Sequence, residues 1–280
     1  MVKKILLILL LVLAHPLLVL GATISGDFGT GNSAHWTFDA QDGADSTANN
    51  NDLTNNGSVT FTSTGCLTAY CSVFSGSNEY FSITDASQTG LDLTGDFSMS
   101  FWIDPVTDST EYEGIFSKDT NGANNTRSYI LYYDERSTDN FNLALFPTGY
   151  SYPGYWAGQY AYNLTEGSYT HVVITCDISG ADNSKCYLYI NGTGQGYFTK
   201  YDGTGATSIQ DTATAVEMGW DSSGHVLDFN GKLDDFTVWK DRILDSTEVT
   251  TLFNAGTPLD YSGGAPATTY TTGISGIDFY

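Results

Sequence analysis

An all-β protein, two antiparallel sheets packed as a sandwich with one short helix near the C-terminus, is what three features of this 280-residue chain predict. Apolar and polar residues alternate in seven short segments. Helical periodicity is almost absent outside one stretch. Two cysteines, set opposite each other, bring a wholly apolar strand face into register. With 41% hydrophobic residues the chain is not disordered by composition, and one all-β domain can reach about 250 residues.

The chain opens MVKKILLILLLVLAHPLLVLGA, where Lys3 and Lys4 precede an apolar run from Ile5 to Leu20 and the small residues Gly21 and Ala22. This reads as a secretory signal peptide over residues 1–22. His15 and Pro16 interrupt the run, which falls short of the roughly 18 uninterrupted apolar residues of an anchor. The mature chain is therefore expected to be secreted, extracellular or at a cell surface, without membrane insertion.

The alternating segments are AHWTFD, EYFSIT, DFSMSFWID, RSYILYY, FNLALF, HVVITCD and KCYLYIN, separated by clusters of Gly, Asn, Asp and Ser. Their spacing points to an antiparallel sandwich. In DFSMSFWID, Phe97, Met99, Phe101 and Ile103 share one face and are expected in the core. DSTEVTTLFNAG predicts the helix: Asp245 is the N-cap with Glu248 three residues on, Val249, Leu252 and Phe253 form one stripe, and Gly256 is the stop. Beyond it, residues 257–280 are rich in Gly, Thr, Ala and Pro and read as a tail or linker, leaving 23–256 as the domain.

All four cysteines follow the leader, as suits an oxidising compartment. Placing Cys176 opposite Cys186 sets Ile174 against Leu188 and Val172 against Ile190. The intervening DISGADNSK then becomes a hairpin loop clamped by a disulfide. By elimination Cys66 pairs with Cys71 across CLTAYC. No CxxC occurs and no histidine lies near either pair, which argues against zinc.

Removing Lys3 and Lys4 with the leader leaves 8 basic side chains against 32 acidic ones. Such a field repels phosphates and anionic headgroups, so nucleic acid is excluded as a partner.

DFSMSFWIDP, then YTHVVITCD with KCYLYING, then FNGKLDDFTVWKDRILDSTEVTTLFNAG resemble, in this order, the laminin G-like jellyroll domains of the concanavalin A-like lectin/glucanase superfamily. HWTFDAQDGADSTANNNDLT resembles the same family's N-terminal strand and the loop after it. The resemblance covers roughly residues 34–256. It implies a two-sheet jellyroll that acts as a binding or adhesion module of secreted proteins, some with a structural calcium ion. It also implies that the loop aspartate Asp45 and the first aspartate of LDD, Asp234, would share that ion. The loop is rich in the oxygen donors calcium needs, although Ala48 stands where the family usually has a glycine. The alternative role for these residues is to cap turns through Asx hydrogen bonds.

GYSYPGYWAGQYAY, residues 149–162, carries six aromatic rings and no charge. Pro153 and Gly154 break it, so it is not one long central strand. Tyr160 and Tyr162 are expected on a core-facing strand. Tyr152, Tyr155 and Trp156, beside the Pro-Gly turn, are the candidate ligand contacts, because sugar rings lay their CH faces on aromatic planes.

A glycosidase needs a carboxylate pair across the scissile bond, and the ExDxxE run of the glucanase relatives is missing here. Glu111 with Glu113, and Asp134 with Glu135, are the remaining pairs, and both suit solvated charge better. His35, His171 and His225 have no second histidine at ligand spacing. Asn56, Asn124, Asn163 and Asn191 each begin a glycosylation sequon. The expected function is a secreted, non-catalytic module that recognises a glycan or glycoprotein at a cell surface. The alternatives are an adhesive protein whose aromatic patch meets another surface protein or a second copy, and a divergent glycoside hydrolase.

Overall fold

A computed structural model describes residues 31–106, 112–120, 126–136, 139–220 and 228–258. The leader, Glu111, Asn124, His225 and the tail past Pro258 lie outside the described residues. Those described form β1 (Ala34–Trp36), β2 (Thr54–Asn56), β3 (Thr60–Thr62), β4 (Cys71–Ser75), β5 (Tyr80–Ile83), β6 (Phe97–Pro105), β7 (Tyr112–Asp119) and β8 (Arg127–Asp134). They continue with β9 (Asn140–Leu145), β10 (Trp156–Ala161), β11 (Thr170–Cys176), β12 (Cys186–Ile190), β13 (Thr193–Tyr197), β14 (Thr199–Asp202), β15 (Val216–Met218), β16 (Asn230–Lys240) and the helix α1 (Ser246–Phe253).

Two eight-stranded antiparallel sheets result. The first runs β13-β12-β11-β6-β16-β4-β3, with β1 also paired to β16; the second runs β14-β10-β9-β8-β7-β15-β5-β2. Neighbours in space are distant in sequence, as in β6 beside β16, which is the crossing pattern of a jellyroll. No helix among the described residues is long and apolar enough to cross a membrane.

The register in the first sheet follows from the alternation. Cys176 faces Cys186, Ile174 faces Leu188 and Val172 faces Ile190, and β6 continues the same apolar face with Phe97, Met99, Phe101 and Ile103, all fully buried. Disulfides join Cys176 to Cys186 and Cys66 to Cys71. The opposite face of β6 is dry as well. Trp102 packs tilted against His171 at 4.7 Å and stacks on Phe253, at the end of α1, at 5.8 Å, while Val249 and Leu252 pack on Val173 and Trp239. Burial with no ionic partner pushes His171 down to about 3, so its ring is neutral and bonds Ser100 Oγ at 2.9 Å.

The capping box forms as expected, Asp245 accepting from Thr247 and Glu248 amides and Glu248 reaching back to the Asp245 amide. The helix stops two residues earlier than the glycine suggested, because Asn254 (φ 43°) takes the left-handed cap. On β16 the pairing with β6 slips between Asp234 and Thr237, and Asp235 takes a φ of 51°. At this bulge both aspartates of the LDD sequence are nine-tenths or more buried, and Asp235 Oδ1 lies 2.6 Å from His35 Nε2, within hydrogen-bond distance.

The Cys176–Cys186 bridge closes a loop of ten residues' separation, so replacing both cysteines by serine is expected to lower stability by about 3 kcal/mol in the chain-entropy account. Urea unfolding of the double variant would measure it.

Candidate functional site

On β10 the two-residue strand period sends Trp156, Gly158 and Tyr160 into the sandwich and Ala157 and Gln159 outward. Trp156 is fully buried, its indole lies against Gly158, and its Nε1 donates to the Asp182 carbonyl at 2.9 Å. The expectation that Trp156 touches a ligand is thereby corrected: it stands in phase with Tyr160 and Tyr162, which pack on the core. Tyr152 and Tyr155 are at the surface, and Tyr152 is 71% exposed.

Outside the second sheet, Ala157 lies opposite Ala144, and Ala144 opposite Ile130. Two alanines in line leave a low floor, and taller rings rise around it. Tyr112, Tyr132, Tyr150, Tyr152, Tyr155, Tyr201 and Phe146, with Arg127, enclose a cleft of about 230 Å³ above that floor. The rings brace one another. Tyr155 stacks on Phe146 at 5.5 Å, and Tyr150 meets both edge-on at 5.1 and 5.9 Å. The Arg127 guanidinium lies 4.3 Å from the Phe146 centroid while forking onto Asp119. Across the cleft Tyr112 sits edge-on to Tyr132 at 5.3 Å and carries Arg136 on its face.

The hydroxyls are fixed too. Tyr132 and Tyr201 share a hydrogen bond of 3.0 Å, and Tyr155 donates to Asp202. Burial, aided by neighbouring oxygens, holds the Tyr132, Tyr155 and Tyr201 phenols above their usual range, so they stay protonated donors at neutral pH. The bond from Tyr155 keeps the Asp202 carboxyl below its usual range. The loop that carries Tyr152 and Tyr155 is pinned by the turn after β14: Thr204 N donates to Pro153 O and Gly205 N to Tyr155 O, each at 2.9 Å. Gly203 permits that approach, since a Cβ there would come within 2.0 Å of Tyr155 O, at a φ of 79°.

The two implied ion ligands differ in what they bond. Asp45 spends both oxygens on the fold, accepting from the His35, Thr47 and Asn51 amides and the Thr47 hydroxyl at 2.7–2.9 Å. It caps its turn, has no lone pair to spare for calcium and does not fit a shared ion. Asp234 differs. It is buried, its contacts to Leu67 N and Thr68 Oγ1 are 3.4–3.5 Å long, and Tyr169 Oη and Asp104 Oδ1 nearby are buried with no hydrogen-bond partner among the described residues. Desolvation, then the Asp235 and Asp39 charges, push its carboxyl up to about 8. An under-coordinated acid with orphaned oxygens around it fits a cation.

Asp85, Asp92 and Asp211 also bring oxygens within 4.8 Å of one another, close enough to hold a metal ion. The fully buried Lys118 ammonium already bonds Asp85 at 2.5 Å and Asp92 directly, and lies 3.9 Å from Asp211. It supplies the positive charge that cluster needs. Of the carboxylates weighed for catalysis, Glu113 and Glu135 are buried and engaged within the fold, and Asp134 bonds Arg136 at 3.1 Å. None of the three lines the cleft.

Residues 75–250 match the laminin G-type profile of the concanavalin A-like lectin/glucanases superfamily. The chain belongs to that superfamily. No curated protein sequence is significantly similar to this lectin/glucanase-superfamily chain. Among solved structures it is similar to domain 4 of AbnA, an extracellular arabinanase of family GH43 from Geobacillus stearothermophilus in complex with arabinotriose, with a TM-score of 0.55, 20% identity, and 79% of this chain and 97% of that one covered. It is also similar to the receptor-binding domain of the botulinum neurotoxin C/D mosaic serotype, with a TM-score of 0.59, 14% identity, and 81% and 52% covered. The binding domain of Paraclostridial Mosquitocidal Protein 1 gives 0.56, 16%, 81% and 52%. The chain spans about half the length of the two toxin domains.

Two measurements check these assignments. Trp156→Ala is expected to cost about 3–5 kcal/mol of folding stability, read by chemical denaturation. For Asp234, a native carboxyl near 8 against an unfolded value near 3.8 makes its contribution complete below about pH 4 and lost as pH rises to 8. Metal-free wild type should therefore lose stability across that window relative to Asp234→Asn, whose profile lacks this component.

Proposed function

We propose that the protein is a secreted, non-catalytic module that binds a glycan or glycoconjugate at a cell surface, with the tyrosine cleft of the second sheet as its site. The observation that carries this reading is the cleft itself: a flat alanine floor walled by seven braced rings. Such walls offer planes to sugar CH faces, and the phenols of Tyr132, Tyr155 and Tyr201 offer hydroxyl partners already in place, so little side-chain entropy is lost on binding. The resemblance of the fold to a domain solved with arabinotriose supports the same reading. Among the described residues no carboxylate lines the cleft, and the neighbouring Asp202 is bonded by the Tyr155 hydroxyl, which favours binding over hydrolysis.

We infer further that calcium, where bound, is held by Asp234 with Asp39 as the neighbouring acid. It would supply the positive charge that the LDD bulge lacks and tie β16 to the CLTAYC loop. Its role is structural, because neither residue lines the cleft.

Glycan-array screening followed by titration calorimetry tests the site. Tyr152→Ala and Tyr155→Ala should each weaken the bound glycan about tenfold, worth ~1.4 kcal/mol, with unchanged melting in the exposed Tyr152 variant. An array with no hits and a concentration-dependent oligomer would favour the adhesive alternative instead. Calcium should raise the melting temperature and chelator lower it, and the shift should vanish in Asp234→Asn while persisting in Asp45→Asn.

A further inference from the structure

Beside the tyrosine cleft lies a second, open depression of about 430 Å³, lined by Asp182, Asn183, Lys200, Tyr201, Asp202 and Gly203. Tyr201 lines both, half-exposed and held in place through its bond to Tyr132. The two hollows differ in chemistry. One is walled by rings; the other presents carboxylates, an amide and an ammonium. The first is smaller than the roughly 300–1,000 Å³ of sites that hold a drug-sized ligand, and the two joined fall inside that range.

They also share one scaffold. Asp182 and Asn183 sit in the hairpin loop clamped by Cys176–Cys186, and buried Trp156 grips that loop through the Asp182 carbonyl. Lys200 Nζ bonds Asp182 at 2.8 Å, and its amide bonds Asn183 Oδ1 at 3.3 Å. The turn at Gly205 passes so near that a Cβ there would meet Asp182 Oδ1 at 2.8 Å. Asp202 joins the hollows a second time, because the Tyr155 hydroxyl of the aromatic wall donates to it.

From this geometry we propose that the polar depression is a second subsite for the same ligand, and that the ligand is a neutral oligosaccharide of three or more units bound along its length across Tyr201. This deepening rests on the glycan-binding reading. One unit stacks among the tyrosines, and the following units place their hydroxyls against the Asn183 amide, the Asp182 and Asp202 carboxylates and the Lys200 ammonium. The sugar is neutral because the cations lining the hollows are each committed, Arg127 to Asp119 and Lys200 to Asp182, within a chain of net charge −22. An acidic sugar would meet carboxylates with no guanidinium or ammonium set aside for it.

The test uses the full chain and neutral arabino-, cello- and manno-oligosaccharides of two to six units, with oligogalacturonides of the same lengths as the acidic series. For the neutral series that binds, affinity should rise at least tenfold between two and four units. Asn183→Ala combined with Lys200→Gln should abolish that rise. A length-independent affinity, or a variant with the wild-type rise, overturns the second subsite and leaves glycan binding standing. Oligogalacturonides binding as tightly as the neutral series overturn the neutral assignment. Wild type that binds none of the neutral series overturns the proposal, and loss of all array binding as well overturns the glycan reading beneath it.

Discussion

The two-residue period of the extended chain governs what is dry and what is wet in this protein. Once Cys176 faces Cys186, the parity of β11 and β12 is settled, and β6 and β16 inherit it through their ladders. A slip by one residue anywhere in that sheet would carry Phe101 or Ile174 to the other face. The second sheet obeys the same rule on β10, where the residues that fill the core and those that floor the cleft are consecutive letters of one strand. The cleft thus exists because the inward positions took the bulk and the outward ones, Ala157 and Ala144, stayed small.

Much of this could be read from the chain alone. Seven of the sixteen strands, the helix cap, both disulfides and the superfamily follow from local alternation, turn chemistry and ordered motifs. Trp156 shows where such reading goes astray: next to a Pro-Gly turn it looks exposed, yet counting in twos from Tyr160 places it inside. Asp45 failed for a different reason. Its four donors come from its own loop and from His35, and an acid saturated by neighbours is indistinguishable in sequence from one awaiting an ion.

The larger part of the candidate site was not legible. Tyr112, Tyr132 and Tyr201 lie far from the 149–162 stretch and from one another in sequence. Only the order β14-β10-β9-β8-β7 brings them to one wall. The second hollow is further removed still, since Asp182 and Asn183 belong to the disulfide hairpin of the other sheet. The available signal was a surplus of tyrosine outside any core-facing phase, and it marks the presence of a surface without assembling it.

The sheet margins carry a consequence for how copies of this chain meet. Each sheet's order ends on short strands: β13 has five residues, two of them glycine, β3 has three, β14 four and β2 three. Beside β14 the ladder is broken by a bulge at Ala157 and Gly158, and the strand itself carries Lys200. Margins this brief and irregular offer an incoming segment too few open amides and carbonyls to zip onto. The architecture is therefore defended against ribbon-to-ribbon polymerisation at its borders, and a strongly acidic exterior keeps neighbouring molecules apart at high concentration.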